Sequence, residues 1–194
     1  MINKNLGLCG AHCTGKTTLA QELSELTGIP FARTSTSKVM QELGFTPDAA
    51  MTFDERLTVQ ELILDAAEEL WGSFKDTFIS DRTPMDMIAY TLAAIQGETL
   101  FDQHQLTDYI YRCREITNKY FSHVILLQPG IPLIGREGKA ALNEGYIVHL
   151  NTILMGLTVS DHLEGEVLWI PLHETSLDAR VLHSLEWMNE YGLC

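Results

Sequence analysis

Short apolar runs alternate along this chain with longer stretches of helical period, and that alternation predicts a parallel sheet covered by helices on both faces. Leu6–Cys9 reads as the first strand. From Thr17 the period becomes helical, with Leu19, Leu23 and Leu26 on one side, until Gly28 and Pro30 stop it. A short strand over Ile29–Ala32 and a short helix over Ser37–Leu43, ended by Gly44, follow. Thr52 and Glu55 form a capping box, and Leu57, Leu62, Leu64, Ala67 and Trp71 continue it as the apolar side of a long helix. Thr77–Ser80 reads as the third strand. Thr83 and Pro84 then open a helix, with proline at the first helical position, where its missing N–H does no harm. One or two helices fill Phe101–Phe121. Val124–Leu127 and Val167–Ile170 are the fourth and fifth strands, and Ser176–Met188 is a closing helix. Residues 145–166 receive no assignment from the pattern.

No repeat, low-complexity tract or linker divides the 194 residues, so one domain spanning residues 1–194 is expected. No apolar run reaches the roughly 18 residues of a membrane span, and neither end has a basic-then-apolar signal. The expectation is a soluble, cytoplasmic protein with no membrane partner. Cys9, Cys13, Cys113 and Cys194 lack metal-ligand spacing and suit a reducing compartment. The histidines lack metal-type pairing too.

A formal net charge of −13 bears on partners. Nucleic-acid binders concentrate cations along a stripe, because affinity comes largely from neutralising phosphates. Here Lys16, Arg33, Lys38, Arg82, Arg112, Arg114, Lys119, Arg136 and Lys139 are thinly spread. Charge therefore favours a small phosphorylated ligand over a duplex. A homodimer is compatible with the sequence.

The strongest local signal is the run Gly10, Ala11, His12, Cys13, Thr14, Gly15, Lys16, Thr17, which matches G-x-x-x-x-G-K-[ST] in full. Its glycines allow the backbone close to a bulky anion, and successive N–H groups form a concave cradle. Lys16 is a point charge for the β- and γ-phosphates, and the Thr17 hydroxyl is a hard oxygen for Mg²⁺. The following helix points its positive end at the same anion. Together with Thr18, these residues are the candidate site for ATP and Mg²⁺, with GTP as an open alternative donor. The expected fold class is thus an α/β P-loop NTPase three-layer sandwich: a five-stranded parallel sheet, helices on both faces, and a lid loop over about residues 129–144.

Three further features favour transfer to a small molecule. The chain lacks the Asn/Thr-Lys-x-Asp string that reads guanine and the apolar run ending in Asp-Glu of ATPase motors. The third strand runs into Asp81 and Arg82, and ligands in such sheets bind beyond the carboxyl ends of the strands. Asp81 is therefore a candidate for holding the metal's water shell or for taking a proton from the acceptor, and Arg82 for a substrate or moving phosphate. Finally, Gln128–Lys139 surrounds Arg136 and Lys139 with prolines and glycines, as in a lid that excludes water and stabilises building charge.

This order of features resembles the P-loop nucleoside and nucleotide kinases, and more closely the ribosylnicotinamide kinase-like proteins. The residues that carry the resemblance are Gly10–Thr18, Arg33, Thr52–Arg56 with Gln60, Asp81, Pro129–Ile134 and Ser176–Val181. Phage-encoded kinases for modified pyrimidine nucleotides, or for hydroxymethyluracil within DNA, share the plan. The resemblance implies a kinase moving the γ-phosphoryl of ATP to a nucleoside, a nucleoside monophosphate or a similar acceptor. The catalytic set would be Lys16, Asp81, Arg82 and Arg136; Arg33, Asp81, Arg82 and Lys139 would meet the acceptor, and Thr17 and Asp81 the metal. One departure matters. Many deoxynucleoside kinases carry a carboxylate at the end of the second strand, where this chain has Arg33, Thr34, Ser35 and Thr36. Asp81 must then be base, metal-shell ligand or both, with Asp86 a weaker candidate, and an anionic acceptor is slightly favoured. Tyr109–Arg114 is a further candidate lining for an acceptor pocket, and Leu172–Thr175 falls where related kinases hold adenine. Alternatives are a kinase for a modified base in DNA and a nucleotide-binding regulatory ATPase.

Overall fold

The computed structural model describes residues 4–45, 50–132 and 143–194. Five parallel strands, β1 (Leu6–Cys9), β2 (Phe31–Ala32), β3 (Ile79–Ser80), β4 (His123–Leu127) and β5 (Glu166–Ile170), lie in the order β2-β3-β1-β4-β5. Strand alternation decides which helices each face receives. Leu6, Leu8, Ile125, Leu127 and Ile170 join Leu19 and Leu23 of α1 (Lys16–Thr27) and Val181 and Met188 of α7 (Leu177–Glu190) in one core. Cys9, Val124 and Leu126 face the other way. Their partners come from α3 (Phe53–Gly72), α4 (Pro84–Leu92), α5 (Gln103–Tyr120) and α6 (Glu144–Thr158). The three-layer α/β sandwich expected from the pattern is the observed architecture.

The helix boundaries follow their signals closely. Gly28 ends α1 in a left-handed conformation and its N–H donates to Ser24 O at 2.9 Å. Thr52 and Glu55 form the expected capping box on α3. The short α2 spans Thr36–Glu42. Phe101–Phe121 holds one helix, α5, capped by the Asp102 carboxylate, which accepts from the N–H groups of His104 and Gln105. Against the expected stripes, Leu26 and Leu62 are exposed, while Val59 and Ile63 take buried places on α3.

Two differences are larger. Strands β2 and β3 are shorter than their apolar runs: only Phe31↔Ile79 and Ala32↔Ser80 pair, although the residues before them still bond across the sheet, Ile79 N donating to Pro30 O at 2.9 Å and Leu6 N to Phe78 O at 3.0 Å. Helix α6 occupies much of the unassigned stretch, capped by the Asn143 side chain accepting from Tyr146 N at 3.0 Å. The candidate lid was extended to residue 144, yet Glu144 is the first residue of α6; residues 133–142 lie outside the described residues. Trp71 anchors the core beneath the site: its indole N–H donates to Ser80 Oγ at 3.0 Å, and its ring meets Phe121 edge-on at 5.0 Å.

Candidate active site

The phosphate loop leaves β1 and enters α1 through backbone that demands glycine at two positions. At Gly10, φ is 155° and a side chain would come within 2.6 Å of the Leu127 carbonyl. Gly15, the residue before α1, has φ 89°. Cys13 also takes a positive φ, 61°, and is half-buried between them. Thr14 closes the curl by donating its hydroxyl to Ala11 O at 2.9 Å.

Lys16 is buried inside this curl. Its ammonium donates to Gly10 O at 2.6 Å and Ala11 O at 2.9 Å, and lies 3.6 Å from Asp86 Oδ1. Burial holds its pKa below the ordinary lysine value, and Asp86 pushes the other way. Asp86 is fully buried and has its own duties. Its Oδ1 accepts from Gly10 N at 3.1 Å, and its Oδ2 from Thr83 N at 2.9 Å and Thr83 Oγ1 at 3.2 Å. One carboxylate thus ties the start of the loop to the first turn of α4.

Asp81 is the second buried carboxylate and faces the loop's other end. The Thr17 hydroxyl donates to Asp81 Oδ2 at 2.7 Å. Thr34 donates twice to Asp81 Oδ1, from its backbone N–H at 3.0 Å and its hydroxyl at 2.9 Å. The pairing of Ala32 with Ser80 explains this: it sets Arg33 and Thr34 beside Asp81 and Arg82 at neighbouring strand ends. Two hard oxygens meeting at 2.7 Å beside an anion cradle fit Mg²⁺, which takes oxygen ligands and keeps a share of them for phosphates and water. Arg82 is half-buried, its guanidinium 6.0 Å over the Tyr90 ring, and its charge opposes that of Lys16. Arg33 is exposed.

Of the remaining candidates, His12 leans toward α4 and α6: Nδ1 is 3.1 Å from Tyr90 Oη, and its ring packs on Tyr90 and Tyr146. Thr18 is exposed on α1. Arg136 and Lys139 lie outside the described residues. In the Tyr109–Arg114 segment, Arg114 lines a small cavity with Met85, Ile88 and Thr117, while the other side chains are engaged or turned out. Arg112 is tied to Asp65 at 2.6 Å and Glu68 at 3.2 Å on α3, Tyr109 is buried, and Tyr111 is 62% exposed. Two participants were not singled out from sequence. Thr34, beyond the end of β2, donates to Asp81 Oδ1 from both its N–H and its hydroxyl. Arg180 of α7 reaches Thr14 O at 2.7 Å, across 166 residues. No local spacing signals such a contact.

A family model described as an AAA domain matches residues 6–134, and the chain belongs to that family. Uncharacterized proteins of Staphylococcus aureus, from strains USA300 and NCTC 8325 / PS 47 among others, are 29% identical to it over 184 residues. The match covers 91% of this chain and 62% of theirs, so the chain spans less than two thirds of the curated relatives it matches. Among solved structures, deoxyadenosine kinase from M. mycoides with bound dATP is 17% identical, with a TM-score of 0.68 over 96% of this chain and 100% of that one. Thymidylate kinase from Candida albicans is 16% identical, with a TM-score of 0.69 over 98% of this chain and 92% of that one. NadR protein in complex with NAD and AMP-PNP is 18% identical, with a TM-score of 0.66 over 98% of this chain and 50% of that one. The fold is that of the P-loop nucleoside and nucleotide kinases.

Proposed function

We propose that this chain is a Mg²⁺-dependent kinase that moves the γ-phosphoryl of ATP to a small nucleoside-type acceptor, and that the attacking oxygen belongs to a phosphate monoester, as in a nucleoside monophosphate. The observation that carries this reading is the state of Asp81, whose Oδ2 meets the Thr17 hydroxyl and whose Oδ1 is filled by both donors of Thr34. A sugar hydroxyl must lose a proton as it attacks, and that requires a carboxylate facing it with a lone pair to spare. The one acceptor site left on Asp81 is on Oδ2, beside the metal-side threonine, and Asp86 is consumed by Gly10, Lys16 and Thr83. A phosphate monoester needs no such base, since its second pKa is about 6 and its oxygen is already ionised at neutral pH.

In this reading the loop N–H groups and Lys16 hold the triphosphate, with Lys16 exchanging its carbonyl partners for phosphate oxygens. Bound between Thr17, Asp81 and the triphosphate, Mg²⁺ would supply positive charge to the β- and γ-oxygens. Arg33 and Arg82, at neighbouring strand ends, orient the acceptor phosphate in line. An acceptor oxygen attacks the γ-phosphorus, the bond to the β-phosphate bridging oxygen breaks, and ADP leaves with no proton moved. Arg136 and Lys139 are proposed to add positive charge from the segment after β4.

ATP consumption measured against nucleosides, deoxynucleoside monophosphates, nicotinamide riboside and oligonucleotides tests this. Monophosphates should stimulate turnover, and kcat/KM should fall on the acid side near pH 6, the second phosphate pKa (about 6). Turnover of free nucleosides in preference to their monophosphates would require a base for the attacking hydroxyl and overturn the acceptor class. Hydrolysis indifferent to every acceptor would make the chain a regulatory ATPase, and oligonucleotide-dependent turnover would move the acceptor into DNA.

A further inference from the structure

Arg180 lies in the first turn of α7 and is 3% exposed. Its Nη1 donates to Thr14 O at 2.7 Å, inside the phosphate loop, and its Nε to Glu174 O at 2.6 Å, in the turn after β5. Nη2 is buried and has no hydrogen-bond partner among the described residues. Buried guanidinium groups are ordinarily matched by carboxylates, whose two oxygens suit the fork. This one forms no ion pair with a described residue. The Glu174 carboxylate, whose charge does reach it, is turned to His183 Nδ1 at 3.0 Å. The helix opposes it as well, because the amino-terminal turn carries partial positive charge.

Among the described residues the burial of this cation is not matched by charge. Taking an ion out of water is offset well only by an opposite charge with good geometry. Arg180 has two neutral carbonyls and a third donor left over. The cation is therefore short of counter-charge, and the neighbour it grips is an anion cradle: a side chain at Gly15, next to Lys16, would lie 3.5 Å from Nη1.

We infer that Arg180 is a positioning residue of the donor site, drawing its counter-charge from the nucleoside triphosphate in the phosphate loop and tying that loop to the turn between β5 and α7. This rests on the reading of the loop as a kinase donor site. Nucleotide binding then reaches both ends of the site at once: the loop is braced through Thr14, and the Leu172–Thr175 turn is held in place through Glu174.

Two substitutions separate charge from shape. Arg180→Gln keeps an amide to bond Thr14 O and loses the charge, while Arg180→Lys keeps the charge and loses the fork. Calorimetry with Mg²⁺ and AMP-PNP should show affinity about tenfold weaker in Arg180→Gln (about 1.4 kcal/mol), with most of the loss recovered in Arg180→Lys. In turnover, KM for ATP should rise while KM for the acceptor stays put. A structural role alone would instead lower the melting temperature of both variants and move both KM values together. Binding within about twofold of wild type in Arg180→Gln (under about 0.5 kcal/mol) overturns the inference, as does equal impairment of the two variants. Should Arg180→Gln fail to fold, the Arg180 Nε–Hε resonance of the wild-type chain, assigned by its loss in Arg180→Lys, decides the matter. It should shift on saturation with AMP-PNP, and an unmoved signal overturns the proposal. Wild-type protein that binds no nucleotide would sink the kinase reading itself, a result distinct from normal wild-type binding with an indifferent variant.

Discussion

Asp81 and Asp86 leave the same strand–helix junction in different directions, and their substitution should separate chemistry from folding. Asp81 contacts only hydroxyls and one N–H at the mouth of the loop, so Asp81→Asn keeps a similar shape and removes the charge that suits a metal. We expect turnover to fall at least a hundredfold (about 2.7 kcal/mol) with the melting temperature nearly unchanged. Lys16→Ala should abolish turnover and also lower the melting temperature, because it strips the counter-charge from the buried Asp86 carboxylate. Asp86→Asn is expected to act on stability, because it strips the counter-charge from a buried lysine; breaking such a pair costs about 3 kcal/mol. Calorimetric melting alongside turnover checks all three, and a thermally normal, inactive Asp86→Asn would reverse these assignments. The loop, Asp81 and Arg82 were legible because each sits in a fixed order beside a strand end. Thr34 and Arg180 were not, since their roles depend on register and on a contact between the two ends of the chain.

Elements announced themselves where their ends carried chemistry. The Thr52–Glu55 box, the Gly28 stop and the Thr83–Pro84 start each fall where the structure has a boundary. Helix α6 escaped notice because its residues, Glu144–Thr158, are apolar on most sides, include β-branched Ile147, Val148, Thr152 and Ile153, and are interrupted by Gly145 and Gly156. A helix packed on both α4 and the sheet has little polar face to mark its period. Close packing between elements is equally silent in sequence. A methyl group on Gly7 of β1 would overlap Thr83 Cγ2 and stand 2.8 Å from Phe121 Cδ1. Neither neighbour can yield: Thr83 is tied to Asp86, and Phe121 is enclosed by Trp71 and Phe78. Gly7→Ala should therefore destabilise by about 1–3 kcal/mol, the usual range for overpacking. Since the strained cap is the one that holds Asp86, nucleotide affinity should fall with it. Denaturant unfolding measures the first effect and calorimetry the second; an unperturbed midpoint would mean that β1 and α4 move apart at little cost.

At the scale of the whole molecule, the charge of −13 gains meaning from where the cations are engaged. Arg112 and Lys119 on α5, the nearest approach to a basic stripe, are neutralised by Asp65 and Glu68 on α3. Lys38 faces Glu42, Lys16 is enclosed by the phosphate loop, and Arg180 is buried. Arg33 and Arg82 stand at the strand ends, enough for one phosphate group, while Arg56 and Arg114 sit on α3 and α5. Each phosphate neutralised on a duplex contributes a slope of about −0.9 to log affinity against log salt, and non-specific binders at physiological salt sit at about 10⁻⁴ to 10⁻⁶ M. With one or two contacts set against a negative surface, fluorescence anisotropy should detect no binding of duplex or single-stranded oligonucleotide tighter than about 10⁻⁴ M at physiological salt. The same protein should bind Mg²⁺–ATP, because that site depends on loop N–H groups and a local cation rather than on the surface field. Micromolar oligonucleotide binding with a steep salt slope would require a cationic surface that the described residues do not form. It would shift the acceptor from a free nucleotide to a base within a strand, with residues 133–142 then the first place to substitute, at Arg136 and Lys139.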